Sequence, residues 1–273
     1  MIRNINGRSR LAFALASVLL LSALQVPGEE RGEGGAAPRA FVKGPYLQNL
    51  STVSVTVCWE TGEPANATVY FGENGSFDRA VSDETPSTFH ELVIRGLEAD
   101  TAYEYQVASN STVSTPSRFR TAPAGRAPFR FAVYGDCRTG HPNHTKVMQM
   151  MRSADPRFIL STGDLVESGG SAADWQTFFE IVSPVCNDTP YWPSIGNHDT
   201  PLDNYLGRFS LPENERWYSF DYGKAHFVAL DTTDNISEGS AQFDWLRSDI
   251  ESANSSAEWK FLFFHNPPYS SAL

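Results

Sequence analysis

A chain of 273 residues, 41% hydrophobic and 12% aromatic, carries enough apolar surface for one large core or two ordinary ones. Its formal charge of −11, from 21 basic and 32 acidic residues, argues against a non-specific nucleic-acid binder, because such a surface repels phosphate instead of releasing counterions. Three cysteines, Cys58, Cys137 and Cys186, are too few for a disulfide scaffold, so stability falls to the cores.

Residues 1–27 read as a secretory signal. Arg3, Arg8 and Arg10 precede the uncharged run LAFALASVLLLSAL, which is short for a membrane span and right for a signal core. A secreted or extracytoplasmic protein follows, with a retained N-terminal anchor as the alternative. No stable membrane span is expected after cleavage, and loss of the three arginines takes the charge to −14. Residues 28–40, rich in Gly, Ala and Glu, read as a disordered tether.

From 41 to 121 the pattern is short strands. TVSVTVCWE alternates with Val53, Val55, Val57 and Trp59 on one face, and ATVYFG, FHELVIRGL and AYEYQVAS follow between turn clusters. An all-β sandwich is predicted, and its strand order and inward Trp59 resemble a fibronectin type III-like domain. The Pro/Ala/Gly stretch 122–128 is a linker, after which strands alternate with helices to residue 273.

In that second domain, FRFAVYGD and RFILSTGD read as strands flanking a helix, HTKVMQMMRSAD, with Val147, Met150 and Met151 inward. DWQTFFEIV is a helix burying Trp175, Phe178, Phe179 and Val182; YWPSIGN, WYSFDYG and AHFVALDT are strands. SAQFDWLRSDIESA is a helix with Phe243, Leu246 and Ile250 inward, and EWKFLFFH is a strand.

The polar residues fall at the carboxyl ends of these strands. YGDCR places Asp136, STGDL places Asp164, IGNHD places Asn197 and His198, and FFHNPP places His265. One Gly-Asp alone is an ordinary turn, and one histidine in an apolar strand is ordinarily a core residue. Four such groups at the ends of a twisted sheet converge on one rim, as ligand sites in α/β folds do. Carboxylate, amide and imidazole together suit Mn, Fe or Zn better than Ca.

The motifs GD, GD, GNHD and FFHNPPYSS in this order resemble the calcineurin-like metallophosphoesterase superfamily, and GPYLQNLSTVSVTVCWET looks like the N-terminal domain of purple acid phosphatases. The resemblance implies a four-layer α/β/β/α domain holding two divalent or trivalent ions, Fe, Mn or Zn, and hydrolysing a small phosphate ester by metal-activated hydroxide. By the same resemblance Asp136 binds the first metal, Asp164 bridges both, and Asn197 and His265 bind the second. His198, oriented by Asp199, contacts the phosphate and assists the leaving oxygen.

Three departures accompany the likeness. Arg138 stands where the superfamily has histidine and purple acid phosphatases have glycine; it cannot ligate a cation but fits a phosphate clamp. His141 and His144 are nearby substitutes as ligands, with solvent-facing roles the plainer reading. Glu167 stands at the tyrosine position of purple acid phosphatases, so a tyrosinate–Fe(III) site and its violet colour are not expected, and Glu167 itself reads as an ordinary exposed acid. The closing Gly-His-X-His motif is missing, since none of the six histidines follows His265; this suggests a truncated domain with open metal shells and an uncovered sheet edge. Cys137 reads as an inert buried thiol. The rival functions are a non-catalytic surface protein with a vestigial second domain and an extracellular nuclease, which the acidic surface disfavours.

Overall fold

The computed structural model describes residues 41–267 and Tyr269, so the signal and tether readings lie outside the described residues. The first strands are β1 (Phe41–Gln48), β2 (Ser54–Gly72), β3 (Arg79–Arg95), β4 (Ala102–Ser109), β5 (Thr112–Val113) and β6 (Ser117–Arg120). Two segments expected as separate strands are one, β2, whose 19 residues pair with β3 along most of their length, with β1 in the first half and with β4 in the second. The register shifts at Glu60/Ala65 and Ala65/Ala67, so TGEPAN bends the strand where a turn was expected. Val55, Val57 and Trp59 are fully buried, as alternation requires, whereas Val53 precedes the strand and is exposed.

After residue 121 come β7 (Ala132–Tyr134), α1 (His141–Ala154), β8 (Ile159–Ser161), α2 (Ala172–Cys186), β9 (Tyr191–Pro193), a 3₁₀ turn (Asn197–Asp199) and α3 (Leu202–Leu206). The chain continues through β10 (Tyr218–Tyr222), β11 (Ala225–Ala229), α4 (Ala241–Ala253) and β12 (Trp259–Phe263). Strands β7, β8 and β9 form a parallel sheet in that order; β10, β11 and β12 form a second sheet. Aromatic rings join the two: Trp192 stacks on Phe220 at 3.8 Å, and Phe158 meets Phe227 edge-on at 5.1 Å. Helix α2 covers the first sheet through Phe178, 6.0 Å from Tyr191, and α4 meets the second through Asp249, bonded to Ser219 and His226. These are the four layers of the expected α/β/β/α domain, beside an N-terminal β-sandwich.

Helix α2 buries the four residues expected. Helix α1 does not: His144, Met148 and Met151 face inward, while Met150 is 71% exposed. The true stripe runs at i, i+4 and i+7, with an imidazole in the place assigned to Val147. In α4, Phe243, Leu246 and Ile250 are half-buried, and the fully buried polar residue is Gln242, which bonds both backbone groups of Asp231.

Candidate metal centre

The strand ends explain the site. Tyr134, Ser161 and Pro193 are paired in register across β7, β8 and β9, so the next residues of all three strands leave the sheet at one edge. Room there is made by glycine. A Cβ on Gly196 would lie 2.1 Å from the Asp164 nitrogen, and one on Gly163 (φ +92°) would lie 2.7 Å from the Gly196 nitrogen. Asp136 and Asp164 themselves take left-handed φ values of 53° and 54°, at a cost of roughly 1–2 kcal/mol each. Strain of this kind at strand ends gathers where a site needs it.

One ligand atom from each of Asp136, Asp164 and His265 lies within 4.8 Å of the others. His265 donates Nδ1–H to the Thr162 carbonyl at 3.0 Å, which turns Nε2 toward the acidic cluster. That nitrogen is 3.1 Å from Asn197 Oδ1 and 3.3 Å from Asp164 Oδ1. Two carboxylates, an amide oxygen and an imidazole held at one nitrogen by a backbone carbonyl, with the other nitrogen facing them, form a donor set that fits a borderline cation. Thr162 was not singled out in the sequence, since a backbone carbonyl leaves no mark in residue type.

Asp164 is buried, 3% exposed, and shares out its acceptors: Oδ1 also takes the His198 backbone N–H at 3.1 Å, and Oδ2 faces Arg138 Nε at 3.2 Å. Arg138 also donates from Nη1 to Glu167 Oε2 at 2.7 Å. Glu167 is therefore not an ordinary exposed acid. It pairs with Arg138, and its carbonyl accepts His198 Nδ1–H at 2.7 Å.

That contact corrects the expected His198–Asp199 pair. Asp199 is wholly buried, and its oxygens accept N–H bonds from Leu165 (2.8 Å), Val166 (3.3 Å) and Gly196 (2.8 Å). Burial pushes its carboxyl up to about 6 against the pull of those bonds, which favour the ionised form. Its role in this geometry is to tie the β8 loop to the β9 loop, holding Asp164 beside Asn197. It orients the loops; the Glu167 carbonyl orients the imidazole.

The other candidates lie outside the cluster. His144 is buried, 3.3 Å from the Tyr134 hydroxyl, and burial takes its pKa down to about 4, so it is a core histidine and not the solvent-facing one expected. His141 is exposed at the start of α1. Cys137 is a buried thiol pushed up to about 12, chiefly by burial, and is no nucleophile near neutrality.

Comparison with known proteins agrees with this architecture. The calcineurin-like phosphoesterase model matches residues 129–273, and the N-terminal domain model of purple acid phosphatases matches 45–121. Human acid phosphatase type 7 is 29% identical over 93% of this chain, and purple acid phosphatase 18 of Arabidopsis thaliana is 26% identical over 86%. The chain spans 64% and 61% of the length of those two relatives. In fold it superposes on a purple acid phosphatase from yellow lupin seeds (TM-score 0.72, 19% identity, 84% of this chain and 52% of that one). PhoD matches at TM-score 0.65 and 14% identity, over 84% of this chain and 63% of its own. With more than half its length matched by the family model, the chain belongs to the calcineurin-like phosphoesterases and carries a purple acid phosphatase N-terminal domain in front.

Proposed function

We propose that this chain is an exported metal-dependent phosphoesterase, acid phosphatase-like, that hydrolyses small phosphate esters. The observation that carries the reading is the convergence of Asp136, Asp164, Asn197 and His265 on one sheet edge, with His198 fixed beside them. The family implies a dimetal centre, and the mixed oxygen and nitrogen donors suit Fe, Mn or Zn. Bound cations supply a water of lowered pKa and neutralise charge on the phosphoryl group. Among the described residues no helix is long and apolar enough to cross a membrane, and the export reading rests on residues 1–27.

The chain's own groups divide the remaining work. His198 spends Nδ1–H on the Glu167 carbonyl, so Nε2 is the atom at which it holds or releases a proton. Protonated there, it donates to a phosphoryl or leaving oxygen and offsets the charge that develops as the ester bond breaks. Asp199 keeps the loops in register without meeting substrate. Arg138 brings a permanent positive charge beside Asp164 and suits a phosphate contact.

The test is hydrolysis of an aryl phosphate by the purified chain with Mn²⁺, Zn²⁺ or Fe²⁺ added. Wild type is expected to turn over, and His198→Ala to lose roughly 10²–10⁴-fold in kcat while its metal content stays unchanged. No hydrolysis with any of the three metals would sink the reading and leave a non-catalytic surface protein. Metal loss in His198→Ala would move His198 from proton transfer to ligation.

A further inference from the structure

We propose that Arg138 stands in for one cation of the family's pair, so that this chain binds a single metal ion, held by Asp136, Asp164, Asn197 and His265. The proposal rests on the metal-dependent reading of the site and goes beyond it in fixing the number of ions. A carboxylate bridges two cations by giving one oxygen to each. Asp164 divides its oxygens in that way, but between unlike partners. Oδ1 lies 3.3 Å from His265 Nε2, on the side of Asn197, whereas Oδ2 lies 3.2 Å from Arg138 Nε. The place opposite the His265 side of the bridge is taken by a guanidinium.

That guanidinium is braced from two directions. Buried Asp164 holds Nε, and Glu167, half exposed and not among the ligand atoms of the cluster, holds Nη1 at 2.7 Å. Arginine keeps its charge at any working pH, so a second dication on Oδ2 would have to displace a fixed positive group from its two acids. The donor inventory points the same way. Among the described residues, Asp136, Asp164 and His265 are the one cluster of three or more carboxylate, imidazole or thiol ligands. Among the described residues, an ion set on Oδ2 would share Asp136 with the first and gain no imidazole from His144, committed to the core, or His141, exposed on α1, while His198 is tied through Nδ1 to the Glu167 carbonyl. A guanidinium in that place offers charge and N–H donors to a phosphoryl oxygen but no open coordination position.

The experiment is Mn²⁺ titration of the full chain, with bound metal counted after desalting and its EPR spectrum recorded, for wild type, Arg138→Lys and Arg138→His. Folding of each variant is checked by circular dichroism. Wild type and Arg138→Lys, which keeps the charge, are expected to bind one ion per chain with an uncoupled mononuclear spectrum. Arg138→His, which exchanges the fixed charge for a ligand beside Asp136 and Asp164, is expected to bind two and to show exchange coupling. Two coupled ions in wild type would overturn the proposal and leave the phosphoesterase reading standing. One ion in both wild type and Arg138→His would overturn the role given to Arg138. No Mn²⁺ in any of the three, together with no aryl phosphate hydrolysis, would overturn both readings.

Discussion

At the scale of single residues, Gly196 shows how closely the proposed metal ligands depend on backbone approach. Its φ of −101° is ordinary for any residue, so alanine there would meet no conformational penalty of its own. What it would meet is Asp164, with the new Cβ 2.1 Å from the backbone nitrogen and 2.3 Å from Oδ1. One of the two loops must then withdraw. We expect Gly196→Ala to fold and to keep the strand pairing of the three parallel strands, yet to lose 10–100-fold in metal affinity as Asp164 and Asn197 separate. Calorimetric metal titration beside a thermal melt checks this; wild-type affinity would show that the loops accommodate a methyl group. The GNHD string marks a candidate site in the sequence, but not its inner wiring. The expected His198–Asp199 pair makes neighbours in sequence neighbours in bonding, whereas a 3₁₀ turn sends His198 and Asp199 to different partners. Asp199 turns back to accept the Gly196 backbone N–H, a bond that a glycine, with no side chain to return it, does not mark in residue type.

At the scale of elements, strand ends were readable because an apolar run followed by Gly and Asp has few other uses, and that was enough to find the rim. Helix faces were less readable. In α1 the buried stripe includes His144, which counts as polar in any pattern and so shifted the reading onto Val147 and Met150. The same blindness hid His226 on β11. This buried histidine has Nδ1 2.8 Å from Asp221 on β10 and Nε2 2.8 Å from Asp249 on α4, and Asp249 also accepts from Ser219. Ionised carboxylates only accept, so both ring nitrogens must donate and the ring is an imidazolium joining α4 to the sheet. Burial lowers its pKa, but the bonds to Asp221 and Asp249 outweigh that and raise it above the ordinary 6.5. A raised histidine pKa contributes stability that is complete below the unfolded value near 6.5 and is lost as pH climbs through the folded value. Urea unfolding across pH 5 to 9 is expected to show wild type losing stability above the folded pKa of His226. In His226→Gln, which has no proton to lose, that decline should shrink. An identical decline in the variant would assign the pH dependence to other groups.

For the whole molecule, composition divided the chain more sharply than packing does. The shift from strand to mixed patterning near residue 121 was visible, and so was the Pro/Ala/Gly stretch that marks it. Hidden from pattern reading was the surface between the two parts, because periodicity assigns each apolar residue to its own layer and says nothing of which layers meet. The described residues form one compact unit. Tyr46 of β1 lies 4.9 Å from Phe179 of α2, and its hydroxyl donates to the Arg208 carbonyl. Tyr105 of β4 donates to the Asn187 carbonyl at 2.7 Å, and wholly buried Gln48 accepts from the Ser210 nitrogen. Buried polar groups at such a surface lose their partners if the parts separate, at about 1–3 kcal/mol each, and the aromatic contact adds a hydrophobic term. Neither part can leave the other without exposing these groups. We therefore expect one cooperative unfolding transition, coincident by far-ultraviolet circular dichroism, which the helices of the phosphoesterase part dominate, and by hydrogen exchange of the strand amides of the sandwich. Tyr46→Ala, cutting the core where both parts share it, should lower that single transition by about 3–5 kcal/mol and leave it single. Two resolved transitions in wild type, or a Tyr46→Ala effect confined to one probe, would show that the sandwich and the phosphoesterase part fold as separate units despite the interface.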